Sequence, residues 1–292
     1  MRRNAVILQK QNNENKVPHT ADLELISRLA RQAGEIGLRF FGRNPKTWTK
    51  AGDSPVSEAD LAIDAFLKEK LLAARPDYGW ISEETADERP AAEYKRYFIV
   101  DPIDGTRGFI NHNPQWCVSI AVAEAGRPLA GALYCPALGE HYTAAAGGTA
   151  RLNGAVIEPA PAAAGETMAE AATMPALRAT SAPIVCRKVD WQKLPLSFTQ
   201  GAERAAPIPS LAYRLALLAR GRLSAVFVRP GCHDWDIAAS DVILQNCGGA
   251  LVDLAGRPVR YCEQSFRHGF LLGAKQAKLK ELLDIVSGLD LG

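Results

Sequence analysis

The chain has 292 residues, 47% of them apolar and 23% charged, enough for one large domain or two closely joined ones with a sizeable core. Its formal net charge is +2 and no basic block dominates, which argues against binding to a nucleic-acid polymer or a membrane surface. The six cysteines form no C-x-x-C pair and sit at no zinc-ligand spacing with a histidine, so they read as reduced, mostly buried thiols of a cytoplasmic protein.

Residues 1–18 hold a short apolar patch at 5–8 and then turn polar, which predicts a disordered leader rather than a secretory signal. No apolar run reaches the roughly 18 residues of a membrane span. Leu23, Ile26, Leu29, Ala30, Ala33, Ile36, Gly37 and Phe40 recur at helical spacing, with Thr20 as the expected N-cap. A second helix is expected over 57–74, with Leu61, Phe66, Leu67 and Leu71 as its apolar side. Strands are expected at 79–82, 97–100, 116–123 and 129–134, and a hairpin from 142 to 152 with turns at Gly147–Gly148 and Asn153–Gly154.

A Pro/Ala-rich stretch over 158–166 favours no packed element and suggests a boundary near 155. The expected organisation is therefore a leader (1–18), an N-terminal α+β domain (19–154) and a C-terminal α/β domain (155–292). In the second half, strands are expected at 184–186, 225–228 and 250–254, and helices at 212–220 and 236–247.

The chemistry centres on Val100-Asp101-Pro102-Ile103-Asp104-Gly105-Thr106. A buried strand delivers Asp101 at its end, Pro102 stops the ladder, and Asp104 lies in a turn that Gly105 permits. Two carboxylates so close on a rigid strand end repel unless protonated or bridged by a cation. Taken alone, the D-x-x-D pair is equally a strand-to-helix loop with an Asx turn. Glu83–Glu84 alone reads as a solvated acidic turn, Asp60 and Asp64 as solvent-facing acids one helical turn apart, and Asp236 as an N-cap for which Asp234 competes. Together, Glu83, Asp101, Asp104 and Asp236 require positive charge. No basic patch adjoins these motifs, so hard divalent cations with oxygen ligands are the natural solution.

Four segments, Pro55-Val56-Ser57-Glu58-Ala59-Asp60, Ile81-Ser82-Glu83-Glu84, Val100 to Thr106, and Trp235-Asp236-Ile237-Ala238-Ala239, resemble the lithium-sensitive inositol monophosphatase superfamily in order and separation. The resemblance covers roughly residues 20–285 and implies a layered αβαβα fold of α/β class with the metal site between the halves. It implies Mg²⁺ as cofactor, roughly two or three ions per site, held by Glu83, Asp101, Asp104, Asp236 and the Ile103 carbonyl. Asp60 and Thr106 would position and deprotonate the attacking water. The Gly105 and Thr106 amides would hold the phosphate, and Asp236 would also contact substrate.

That superfamily acts on inositol monophosphates, 3'-phosphoadenosine 5'-phosphate, fructose bisphosphate and histidinol phosphate. Arg107 and Ile110 after the D-P-I-D-G-T run are similar to the bacterial 3'(2'),5'-bisphosphate nucleotidases of the CysQ type. Arg229 stands where inositol phosphatases place a glutamate, and a cation there suits a second phosphate. Ser210 falls in a loose match to the nucleotidase S-S-L-K segment and is expected to contact substrate. Ala212 replaces the lysine, while Arg214, two positions on, is either the missing charge or a solvated helix residue. His233 is either a proton donor to the leaving group or a packing residue. The expected partner is a small phosphorylated metabolite, with a homodimer left open. A binding protein that had lost catalysis would lack ligands that are all present here. A nucleotidyl transferase would need a Gly-rich nucleotide loop, and none occurs.

Overall fold

The computed structural model describes residues 19–50, 55–85, 94–158, 182–263 and 265–289. The expected leader and nearly all of the Pro/Ala-rich stretch lie outside the described residues. Helix α1 (Thr20–Phe40) buries Leu25, Ile26, Leu29, Ala30, Ala33 and Gly37 on one side. Its N-cap is His19, whose carbonyl accepts the Leu23 N–H. Thr20 is thus the first helical residue, not the cap, because the hydrogen-bond ladder starts one residue earlier.

The chain then runs through a small hairpin, β1 (Thr47–Thr49) with β2 (Pro55–Ser57), into α2 (Glu58–Ala74). Ser57 caps α2 in a capping box with Asp60. The apolar side differs from the expected one. Leu61 is 46% exposed, and the buried stripe is Asp60, Ile63, Asp64, Leu67 and Leu71. Those positions share one helix face. The two aspartates are tolerated there because each finds hydrogen-bond donors inside.

A seven-stranded sheet follows in sequence order: β3 (Gly79–Ser82), β4 (Arg96–Asp104), β5 (Cys117–Glu124), β6 (Arg127–Cys135), β7 (Glu140–Ala145), β8 (Arg151–Leu152) and β9 (Ala155–Val156). β3 and β4 pair parallel and the remaining neighbours antiparallel. Cys117 to Ala123 are all buried and apolar apart from Ser119, as suits a strand covered on both faces. Val118, Ile120 and Val122 face the α1–α2 core, while Cys117, Ala121 and Ala123 face the opposite one.

Four further strands, β10 (Ile184–Val185), β11 (Ala225–Val228), β12 (Gly249–Asp253) and β13 (Leu271–Lys275), form a second sheet in the order β10-β11-β13-β12. Between the sheets lie α6 (Leu211–Ala219) and α7 (Asp234–Asn246). A side chain at Gly131 of β6 would run into Ala239 of α7, which shows how directly α7 rests on the first sheet. On the outer face pack α4 (Lys188–Lys193), α5 (Leu196–Thr199) and α8 (Gln276–Val286). The layers are therefore αβαβα, the expected fold class. The helix–strand alternation of the second half does not give an all-parallel sheet. In this sheet only β10 and β11 pair parallel, because β13 comes back antiparallel to both of its neighbours, β11 and β12.

Candidate metal and phosphate site

The expected strand at 97–100 continues to Asp104. Pro102 does not end it; the ladder shifts register between Asp101 and Asp104 and resumes with Asp104 opposite Cys117. A shift of this kind is how a strand re-aims side chains without ending. It lets Asp101 and Asp104 converge on Asp236 from α7. One ligand atom from each of the three lies within 4.8 Å of the others. Asp236 is the third residue of α7, not its cap. His233 is the cap, and its N–H donates to Asp236 Oδ2 at 2.6 Å.

Each carboxylate has one oxygen constrained or stranded. Asp101 is 1% exposed and its Oδ1 has no partner among the described residues. Asp104 Oδ2 accepts from Ser210 Oγ and from the Ala212 N–H, the latter at 2.6 Å. Burial, and then repulsion from Glu83, Asp104 and Asp236, pushes the Asp101 carboxyl well above the usual range. Burial likewise raises Asp104, against the pull of Ser210 and Ala212, and raises Asp236, with Asp104 adding to it. Two buried carboxylates and one half-buried, mutually repelling and one with an orphaned oxygen, fit a hard divalent cation.

Glu83 stands outside that tight group. Its carboxylate lies 3.7 Å from Lys50 Nζ, and Lys50 also holds Glu84 at 2.6 Å. Burial pushes Glu83 up to about 7, with Lys50 opposing. The acidic turn is not a solvated loop. Asp64 accepts from Ser82 Oγ at 2.5 Å and Thr85 Oγ1 at 2.8 Å, which fixes both ends of the turn.

Asp60 is fully buried. Its Oδ2 accepts from the Ser57 N–H at 2.8 Å and Ser57 Oγ at 2.5 Å, and its Oδ1 lies 3.2 Å from Thr106 Oγ1. Burial raises the Asp60 carboxyl despite these bonds. The Thr106 hydroxyl has one proton and two acceptors in reach, Asp60 Oδ1 and the Ile103 carbonyl at 2.9 Å, and the carbonyl keeps a lone pair whichever of them the proton serves. Gly105 has φ 96° and caps the short helix α3 (Thr106–Ile110). A side chain there would press on the Ser210 backbone at 3.1 Å, so the position demands glycine twice over.

Ser210 departs from the expected substrate contact. It is 0% exposed, it caps α6 by accepting the Tyr213 N–H, and its hydroxyl is committed to Asp104. Arg214 is not solvated either. It is half-buried, and donates to the Ile208 and Pro209 carbonyls at 2.6 and 3.0 Å.

Beside Asp236 opens a cavity of about 740 Å³ whose wall includes Arg187, Lys188, Arg204, Arg214 and Arg229. Lys188 and Arg229 follow the carboxyl ends of the adjacent parallel strands β10 and β11, the end where open α/β sheets take ligands. Arg187 is gripped by Asp190 and Arg204 reaches the Cys186 carbonyl. Lys188 and Arg229 have no ionic partner among the described residues. The sequence singles out Arg229, which lines this cavity, but not Lys188, Arg187, Arg204, Lys50 or the Ser57 cap. Only the last had a legible signal, the S-x-x-D spacing before an apolar run. His233 stacks on Trp235 at 4.5 Å, and burial lowers its imidazole from its ordinary value.

Comparison with known proteins agrees with this geometry. The family model described as the inositol monophosphatase family matches residues 21–286. A histidinol-phosphatase of Chlorobaculum parvum is 34% identical over 239 residues, covering 82% of this chain and 88% of the relative. A 3'(2'),5'-bisphosphate nucleotidase CysQ of Aggregatibacter actinomycetemcomitans is 30% identical over 262 residues, covering 87% and 93%. The solved structure of a Thermotoga maritima IMPase superposes with a TM-score of 0.74 at 24% identity, covering 91% and 97%, and shares the fold.

Proposed function

The chain belongs to the inositol monophosphatase family and is a phosphoric monoester hydrolase; on that premise we propose that it uses Mg²⁺ to hydrolyse a small metabolite carrying a second anionic group, 3'-phosphoadenosine 5'-phosphate fitting best. The observation that carries this reading is the cationic cavity beside Asp236. A neutral polyol would leave Lys188 and Arg229 without counter-charges. Histidinol phosphate would bring its own ammonium against them. A second phosphate meets them with charge-assisted bonds, and the cavity volume lies in the range of pockets that take small molecules.

Asp101, Asp104 and Asp236 would hold the metal, with Glu83 joining as it leaves Lys50 and the Ile103 carbonyl offering its free lone pair. Bound Mg²⁺ supplies charge neutralisation and acidifies water. The chain's own groups do the rest. The Gly105 and Thr106 amides orient the phosphate. Thr106 Oγ1 accepts the proton of the attacking water while its own hydroxyl proton passes to Asp60 Oδ1. Burial makes Asp60 a stronger base than an ordinary carboxylate. The P–O ester bond breaks as the new P–O bond forms, and the leaving alkoxide takes a proton from solvent. No covalent enzyme intermediate is needed.

The experiment is a substrate panel with Mg²⁺: 3'-phosphoadenosine 5'-phosphate, inositol 1-phosphate, histidinol phosphate and fructose 1,6-bisphosphate. The highest kcat/KM should fall on the first. A preference for inositol 1-phosphate or histidinol phosphate would overturn the assignment of substrate class.

A further inference from the structure

We infer that Ser210 is a positioning residue for metal binding: its hydroxyl ties down one oxygen of Asp104 so that the other is held toward Asp101 and Asp236. The inference rests on Asp104 being a metal ligand. Three observations meet at this point. Ser210 Oγ accepts the Tyr213 N–H at 2.9 Å, so its single proton is free to be donated to Asp104 Oδ2. The Ala212 N–H, in the first turn of α6, donates to that same oxygen at 2.6 Å. Cys117 closes the pocket, its thiol sulphur 3.4 Å from Ser210 Oγ and 4.0 Å from Asp104 Oδ2. With Oδ2 surrounded by donors, Oδ1 is the oxygen left for a cation.

The arrangement has a counterpart at Asp236, where the His233 N–H occupies Oδ2. Two ligands are thus each fixed by the start of a different helix. At Asp104 a side chain takes part, and that side chain can be removed. Outer groups that orient ligating carboxylates typically govern metal affinity by about 10- to 100-fold. Arg214 reinforces the loop by binding the Ile208 and Pro209 carbonyls just ahead of Ser210, and the close approach of Gly105 to the Ser210 backbone leaves the loop no room to slide.

The test measures Mg²⁺ and Mn²⁺ affinity by isothermal titration calorimetry on wild type, Ser210→Ala, Ser210→Gly and Asp104→Asn, with the melting temperature of each metal-free protein recorded alongside. Ser210→Gly keeps a residue tolerated at a helix N-cap but lacks the hydroxyl, so it separates loss of the donor from loss of the helix start. The expected result is metal affinity about 10- to 100-fold weaker in both Ser210 variants. Their metal-saturated kcat should recover most of the wild-type value, because no group touching substrate has changed. Wild-type affinity in Ser210→Gly, with Asp104→Asn weakened, would overturn the role of Ser210 alone. Wild-type affinity in Asp104→Asn would instead remove the ligand assignment on which it rests.

Discussion

Asp60 and Thr106 are 46 residues apart in the chain, yet the Thr106 hydroxyl lies 3.2 Å from an Asp60 carboxylate oxygen. The other Asp60 oxygen is occupied by the Ser57 backbone and side chain, so the free one points at the threonine. Asp60→Asn keeps the acceptor that caps α2 and removes the base. We predict a fall in kcat of about 10²- to 10⁴-fold, the usual range for a positioned general base, with Mg²⁺ affinity nearly unchanged. Steady-state kinetics beside calorimetric titration checks this; a kcat within a few-fold of wild type would remove Asp60 from the proton path.

Asp104→Asn tests the ligand set. The change is nearly isosteric and relieves repulsion among Asp101, Asp104 and Asp236. The rate should fall by at least about 10²-fold, while the metal-free protein should melt no lower than wild type. Unchanged turnover would exclude Asp104 as an essential ligand.

The buried carboxylates make stability depend jointly on pH and metal. Burial raises Asp101, Asp104 and Asp236, and raises Glu83 to about 7. A raised carboxyl binds its proton more tightly in the folded chain than in the unfolded one. Its stabilising effect is therefore complete below the unfolded value and is lost as pH rises through the folded one. Metal-free protein should melt at a lower temperature at about pH 8 than at about pH 6. Mg²⁺ should raise the melting temperature more at the higher pH, because ligation requires the ionised forms. Scanning fluorimetry in EDTA and in excess Mg²⁺ at both pH values reads this directly, and a metal-induced shift independent of pH would contradict it. In turnover assays activity should vanish in EDTA and fall with Ca²⁺, which tolerates looser geometry than Mg²⁺. By family resemblance it should also fall with Li⁺.

The D-P-I-D-G-T run could be read because its chemistry is local: a strand, a register shift and a glycine hold both aspartates within four residues. The helical spacing of Asp60 and Asp64 placed them on one face, but not on the inner face, since burial depends on Ser57, Ser82 and Thr85 arriving from elsewhere. Ser210 departs from its expected place for the same kind of reason. Its partner Asp104 is 106 residues away, and nothing in the local S-L-A-Y run distinguishes a group that faces substrate from one that stands behind a ligand. Arg214 reads as either the missing charge or a solvated helix residue until the carbonyls of Ile208 and Pro209 fold back onto it. The strand and helix over 271–286 carry ordinary signals, an apolar run at 270–274 and Leu279, Leu282, Leu283 and Val286 at helical spacing; only the central place of β13 in the second sheet depends on the rest of the fold.

The most direct test of the account is the effect of Arg229→Ala on two substrates. Arg229 lines the cavity that Asp236 opens into, and no described residue pairs with it. A charge-assisted bond to a second phosphate is worth roughly 1.5–3 kcal/mol. Loss of the guanidinium should therefore reduce kcat/KM for 3'-phosphoadenosine 5'-phosphate by about tenfold to a hundredfold. Inositol 1-phosphate has no second phosphate, and its kcat/KM should stay within about twofold of wild type. Equal small effects on both substrates would contradict the account and return the choice to inositol phosphates.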